Sequence, residues 1–454
     1  MPGTITARPA ARPPGPGRNP AGPGLLRLAT AGSVDDGKST LVGRLLRDTR
    51  SVLADQMAAV RAVSRDRGLA DADLALFTDG LRAEREQGIT IDVAYRYFAT
   101  AHRAFVLADT PGHVQYTRNM VTGASTAQVV VVLVDARSGV REQTCRHAAV
   151  AALLRVPNVV LAVNKMDLVG YSPEVFAAVR DRFGRLAAGL GVPDVVAVPV
   201  CALSGENVVT AADSMPWYSG PTLLEHLETV PVARNPGIEP FRLPVQLVLR
   251  PGSSGGSGRR RYAGLVASGR VRVGDELVVQ PAGAITRVVE LDGPDGPVEE
   301  ACRSMSVTVA VADDLDIGRG DLLSGVAAPA RTTREVRGIV CWLGDRPLTA
   351  GARVLLHVAT RTVPALVDRL DHRLDVATLQ REPTDRLCLN DLGGIVLRTA
   401  EPVALDDYRD NRCTGAFLVV DPADGSTLAA GMAGDVASPG TEPAPAVLGP
   451  AVPG

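Results

Sequence analysis

Lysine is almost missing from this chain. Of 48 basic residues in 454, two are lysine, Lys38 and Lys165. All other basic positions are arginine, so lysine has persisted only where a planar guanidinium replaces a slim ammonium group badly. Aromatic residues make up 4 %, which leaves no stacking platform for single-stranded nucleic acid. The net charge is −2 and the pI near 6.3, so no global field draws in nucleic acid. The cysteines at 145, 201, 302, 341, 388 and 413 form no C-x-x-C pair. That argues against a zinc site and fits a reducing, cytoplasmic compartment. Apolar runs such as Val129 to Val134 fall far short of the roughly 20 residues a membrane helix needs. Residues 1–24 are rich in Pro, Gly and Arg without an apolar core segment, and residues 436–454 are proline-rich. Both read as disordered tails, the first not as a secretory signal.

What is present begins at Gly32. Gly32-Ser33-Val34-Asp35-Asp36-Gly37-Lys38-Ser39 matches the phosphate-loop pattern G-x-x-x-x-G-K-[ST] at every fixed position, with Thr40 next. An apolar run, Leu25 to Ala31, precedes it, and Leu41, Val42, Leu45 and Leu46 follow at helical spacing. Strand, glycine loop and helix are the context in which backbone N–H groups and a helix dipole converge on one anion. Lys38 would reach the β- and γ-phosphates, and the Ser39 hydroxyl would ligate Mg²⁺.

Gly88-Ile89-Thr90-Ile91-Asp92 follows a charged stretch of helical pattern, residues 51–88. Thr90 is suited to complete the Mg²⁺ shell and to sense the γ-phosphate in a nucleotide switch. On spacing alone it fits equally well as a β-branched strand residue. A strand over Ala104 to Ala108 delivers Asp109-Thr110-Pro111-Gly112-His113. Asp109 can hold an Mg²⁺-bound water, Gly112 can offer its N–H to the γ-phosphate, and His113 can orient the attacking water. Val129 to Val134 is a further buried strand, and Gln143 to Leu154 an amphipathic helix. Val159 to Val163 is a strand ending in Asn164-Lys165-Met166-Asp167. An aspartate there accepts from N1–H and the 2-amino group of guanine together; adenine offers no such pair, so Asp167 selects GTP over ATP. Asn164 braces the loops and the stem of Lys165 can cover the base. Ser172-Pro173 opens another helix by N-cap and N1 preference. The strand Val195 to Val200 leads to Cys201-Ala202-Leu203-Ser204-Gly205, where the Ala202 N–H would face guanine O6. These motifs all fall at the carboxyl ends of strands, where parallel sheets bind ligands.

The length suggests about three domains. Residues 25–234 read as an α/β phosphate-loop GTPase domain with a mostly parallel sheet flanked by helices. The proline-bearing stretch Val230 to Pro240 reads as a linker. Short alternating runs then predict two β-barrel domains, at 240–330 and 334–435.

With these motifs the chain resembles the translation-factor GTPases of the elongation factor Tu type. Those carry a histidine-bearing phosphate loop, where this chain has Ser33 and Asp35-Asp36. The segments Gly32 to Leu41, Asp79 to Phe98 and Ala108 to Ala127 are similar to the GTPase subunit of bacterial heterodimeric sulfate adenylyltransferase (ATP sulfurylase). So are Tyr262-Ala263-Gly264, Ala267 to Val271, Ala359 to Ala365, Leu389-Asn390-Asp391 and Asn411. The resemblance implies a subunit that hydrolyses GTP, with Mg²⁺. It implies that the energy is coupled to adenosine 5′-phosphosulfate and pyrophosphate formation from ATP and sulfate on a separate, smaller catalytic subunit. An adenylylsulfate kinase, fused in some relatives, would act as a separate chain. The alternative is a translation-factor-like GTPase that delivers aminoacyl-tRNA; near-neutral charge and scarce aromatics weigh against it. Cys201 stands where relatives have serine, a change expected to matter little because the backbone does the work there. Gly252 to Gly258 replaces a more ordered segment.

Replacing His113 by Ala should slow GTP hydrolysis by about 10²-fold or more and leave the GTP dissociation constant nearly unchanged. Single-turnover hydrolysis alongside equilibrium binding checks this; equal loss of both would mark the histidine as structural.

Overall fold

The computed structural model describes residues 24–51, 60, 74, 93–110, 117–192, 194–231, 239–250, 259–375 and 380–434. Nearly all of the helical stretch expected at 51–88 lies outside them, as do Thr90, Pro111, Gly112, His113, the Gly252 to Gly258 loop and both expected tails apart from Gly24.

The first unit is a six-stranded sheet of β1 (Leu26–Ala31), β2 (Ala94–Ala99), β3 (Ala104–Asp109), β4 (Val129–Asp135), β5 (Asn158–Asn164) and β6 (Val195–Pro199). Its order is β2-β3-β1-β4-β5-β6. All pairings are parallel except β2 with β3. Five α-helices with named bounds accompany it among the described residues: α1 (Lys38–Asp48), α2 (Thr117–Ser125), α3 (Glu142–Leu153), α4 (Pro173–Gly189) and α5 (Leu223–Thr229). Strand side chains alternate between faces, and β4 shows what that does. Val130, Val132 and Val134 enter one core with Val150 and Phe183. Val129, Val131 and Leu133 enter the other with Leu41, Leu45 and Leu227. A strand covered on both sides must be apolar throughout, and every residue of β4 is buried. Order reverses around β1, so the loop after it sits at the topological switch point.

The expected helix start at Ser172 holds: its hydroxyl accepts from the Val175 N–H at 3.2 Å with Pro173 at N1. At α5, Thr222 and Glu225 form a capping box not expected from the sequence. The antiparallel edge strand β2 was not foreseen. Its Phe98 stacks on Phe105 at 4.5 Å, while Tyr95 and Tyr97 face outward.

The two following units are both β. In the first, the sheet path runs from Arg242–Pro244 through Leu322–Gly325, Glu276–Gln280, Ala284–Gly293, Ser306–Val311 and Arg261–Leu265 to Leu247–Leu249. A bridge between Arg242 and Ser268 joins the first strand of that path to the segment just after Arg261–Leu265, around a core holding Leu243, Tyr262, Val288 and Leu323. The second is a closed six-stranded barrel. Arg353–Val358, Ala416–Val420, Thr427–Ala433, Arg331–Trp342, Leu392–Leu405 and Arg361–Leu374 pair in that cyclic order, and the last returns to the first. Periodicity misses Leu392–Leu405, whose Gly393-Gly394 and Pro402 break the alternation. Those glycines answer packing: a Cβ on Gly394 would strike the His372 ring, and one on Gly393 the Leu387 side chain.

One turn of the closed barrel reaches both other units. Asp406 takes two hydrogen bonds from the Arg242 guanidinium, each 2.8 Å. Asn411 donates to the Ser268 hydroxyl at 2.8 Å. The Tyr408 hydroxyl donates to the Leu154 carbonyl at 3.1 Å and Arg412 to the Ala127 carbonyl at 3.1 Å. Arg242 is 2 % exposed, so removing its counter-ion strands a buried charge. Asp406→Ala should cost about 3–5 kcal/mol of unfolding free energy. Asp181→Ala, at the exposed Arg180 pair, should cost less than about 1 kcal/mol. Denaturant unfolding compares the two, and equal midpoints would contradict the account.

Candidate guanine-nucleotide site

The phosphate loop folds back on itself. The Asp36 carboxylate accepts from the Ser33 N–H at 2.6 Å. The Lys38 ammonium donates to the carbonyls of Gly32 and Ser33 at 2.9 and 2.8 Å. Both side chains are buried. Burial pushes the Lys38 amine down from its ordinary value, against the pull of Asp109, Asp36 and Asp35, and pushes the Asp36 carboxyl up. Gly37 has φ +93°, which an L side chain rarely adopts, and a Cβ there would meet the Asn164 amide. Helix α1 starts at this glycine with no side-chain cap. Its first N–H groups are therefore directed at the space an anion would take. Ser39 and Thr40 are half-buried in its first turn, while Val34 and Asp35 are exposed.

At the end of β3 the Asp109 carboxylate is fully buried and accepts from the Thr30 hydroxyl at 2.9 Å. Thr110 spends its hydroxyl on the Thr30 carbonyl. The strand pair β1–β3 thus carries the acid beside the phosphate loop. Ser39 and Asp109 give a hydroxyl and a carboxylate, the hard oxygen donors that suit Mg²⁺. No cluster of three or more His, Cys, Asp or Glu that could hold a metal occurs among the described residues.

The second wall comes from β5 and β6. Asn164 donates through Nδ2 to the Asp36 carbonyl at 2.8 Å and accepts through Oδ1 from the Ala202 N–H at 3.0 Å. Lys165 stands at φ +62°; its ammonium donates to the Asp35 carbonyl and pairs with Asp135 at 3.1 Å. Burial alone would raise the Asp135 carboxyl, but hydrogen bonds from Arg137 and Lys165 outweigh it and hold it well below the usual carboxylate range. Asp167 is half-buried, and the Cys201 thiol lies 3.1 Å from its Oδ1. Burial pushes that thiol up. Leu203 is 68 % exposed at the rim.

Three of the expected residues have surroundings the spacing did not show. Met166 is completely buried in the core, so only its backbone can contribute. The Ala202 N–H, assigned to guanine O6, is engaged by Asn164, so a base would have to share it. The Cys201 thiol, at a position expected to act through its backbone, also lies against the Asp167 carboxylate at 3.1 Å. The contacts of Asp36, Asp135 and Arg137 were not expected from the sequence. The first lay inside the motif and Asp135 at a strand end, but nothing in the spacing marked Arg137.

Residues 24–231 match the family model of the elongation factor Tu GTP-binding domain, and residues 335–433 that of the GTP-eEF1A C-terminal domain-like family. The chain is 56 % identical over 410 residues to the bifunctional enzyme CysN/CysC of Mycobacterium tuberculosis, covering 90 % of this chain and 67 % of that protein. It is 44 % identical to sulfate adenylyltransferase subunit 1 of Saccharophagus degradans, covering 92 % and 88 %. With the Citrobacter koseri protein of the same name it shares 46 % identity, covering 90 % and 86 %. The chain belongs to the sulfate adenylyltransferase subunit 1 family, the GTPase subunits of ATP sulfurylase, within the elongation factor Tu type of GTPases.

Proposed function

We propose that the chain binds GTP with Mg²⁺, hydrolyses it, and couples that hydrolysis to adenosine 5′-phosphosulfate and pyrophosphate formation from ATP and sulfate on a separate catalytic subunit. The observation that carries this reading is the direct bonding of the two loops: Asn164 to Asp36, and Lys165 to Asp35. A triphosphate site alone would serve any nucleotide, whereas this one is joined to a carboxylate suited to guanine. An adenylylsulfate kinase on a separate chain would consume the product.

In this reading the GTPase domain is 25–234, followed by barrel domains at 240–330 and 334–435. Gly32 to Thr40 wrap the phosphates, and Lys38 lies against the β- and γ-phosphate oxygens as a point charge. Ser39, Thr90 and, through water, Asp109 would hold Mg²⁺. The bound ion would neutralise charge developing on the transferred phosphoryl group. His113 orients the attacking water, and Gly112 gives its N–H to the γ-phosphate; Thr110 and Pro111 complete that switch. Asp167 accepts from the base, with Asn164, Lys165, Met166, Cys201, Ala202 and Leu203 forming the surrounding turn.

Co-purified with its partner subunit, the chain should turn over GTP faster when ATP and sulfate are both supplied. Turnover indifferent to sulfate would contradict the coupling. Asp167→Asn should shift preference from GTP toward xanthosine triphosphate by at least about tenfold, because an amide donor now meets a carbonyl where an acceptor met an amine. Competition binding measures it, and unchanged GTP affinity would refute the base assignment.

A further inference from the structure

Helix α1 carries a buried arginine with no place in the phosphate-loop chemistry. The Arg44 Nε donates to the Ala202 carbonyl at 3.1 Å, and its Nη2 donates to the Leu203 carbonyl. Its Nη1 lies 3.7 Å from Asp48 one turn on. The residue is 8 % exposed. Holding a guanidinium out of water is costly unless its donors are met, and here consecutive peptide carbonyls of the base-side turn meet them. A planar fork can take both at once; a lysine, with a point charge, could not hold the peptide plane.

The turn is shaped to receive it. Gly205 has φ +94°, and a Cβ there would lie 3.2 Å from Arg44 Cδ. The Gly205 N–H closes the turn on the Cys201 carbonyl at 2.7 Å. The Cys201 thiol in the same turn faces Asp167 at 3.1 Å. Arg44 thus reaches from the helix that grows out of the phosphate loop to the turn backing the base-reading carboxylate. Asn164 makes the other link, on the opposite side of Ala202, through that residue's N–H.

We infer that Arg44 is a positioning residue for guanine recognition, clamping the Ala202 and Leu203 carbonyls so that the turn holds Asp167 against the N1–H and 2-amino edge of the base. This rests on the guanine-nucleotide reading of the pocket. The clamp contacts no phosphate, so it acts on GTP and GDP alike and leaves hydrolysis at saturation untouched.

The test measures dissociation constants for GTP, GDP and inosine triphosphate, which lacks the 2-amino group, with kcat and KM for GTP. Arg44→Met keeps the stem and removes the fork. It should weaken GTP and GDP equally, by about tenfold or more, weaken inosine triphosphate less, and raise KM with kcat unchanged. Arg44→Lys should recover only part of the loss. Asp48→Asn should leave all constants within about twofold, since the two carbonyl bonds remain. If Arg44→Met does not fold, Gly205→Ala, which pushes on Arg44 from the turn, should give the same loss of preference for GTP over inosine triphosphate. Unchanged affinity, an equal loss for both base types, or a fall in kcat at constant KM would overturn the inference. Wild-type protein that binds no GTP would instead overturn the reading of the pocket.

Discussion

A nucleoside triphosphate has a fixed length, so a protein that grips its phosphates and reads its base must hold two loops at a fixed separation. In the proposed GTP site Asn164 sets that separation. One amide side chain donates to the carbonyl of Asp36 in the phosphate loop and accepts from the N–H of Ala202 in the base-side turn. Both bonds are buried, where a satisfied hydrogen bond is stiff and a broken one leaves two groups unpaired. Lys165 adds a second tie, from its ammonium to the Asp35 carbonyl, and is itself anchored by Asp135.

The rest of the first unit keeps these ties in register. Five parallel strands bring their carboxyl ends to one edge, and the reversal of order at β1 opens a crevice there. The Thr30–Asp109 and Thr110–Thr30 bonds lock β1 to β3, so the buried acid and the phosphate loop cannot drift apart. Lysine in an arginine-dominated chain then has a simple account. Lys38 threads between two loop carbonyls and Lys165 between a carbonyl and a carboxylate, spaces suited to an ammonium rather than a planar fork.

The phosphate loop, the strand ends and the helix starts at Ser172 and Pro173 were legible because each rests on local chemistry: a glycine conformation, a cap, a run of apolar residues. The elongation factor Tu type fold and the family were legible from motif order. What was not legible depends on contacts between distant segments. Arg44 looks like any helix-face arginine until Ala202 and Leu203 fold beneath it. The strand Leu392–Leu405 is hidden by glycines whose reason lies on a neighbouring strand. That the Cys201 side chain meets Asp167 is likewise invisible in the spacing.

Equilibrium titration of the purified chain with GTP and with ATP, at saturating Mg²⁺, tests the central claim most directly. The account predicts that GTP binds at least about 10³-fold more tightly, because a site built to accept from N1–H and a 2-amino group meets neither donor on adenine. Equal affinity for the two nucleotides would contradict it.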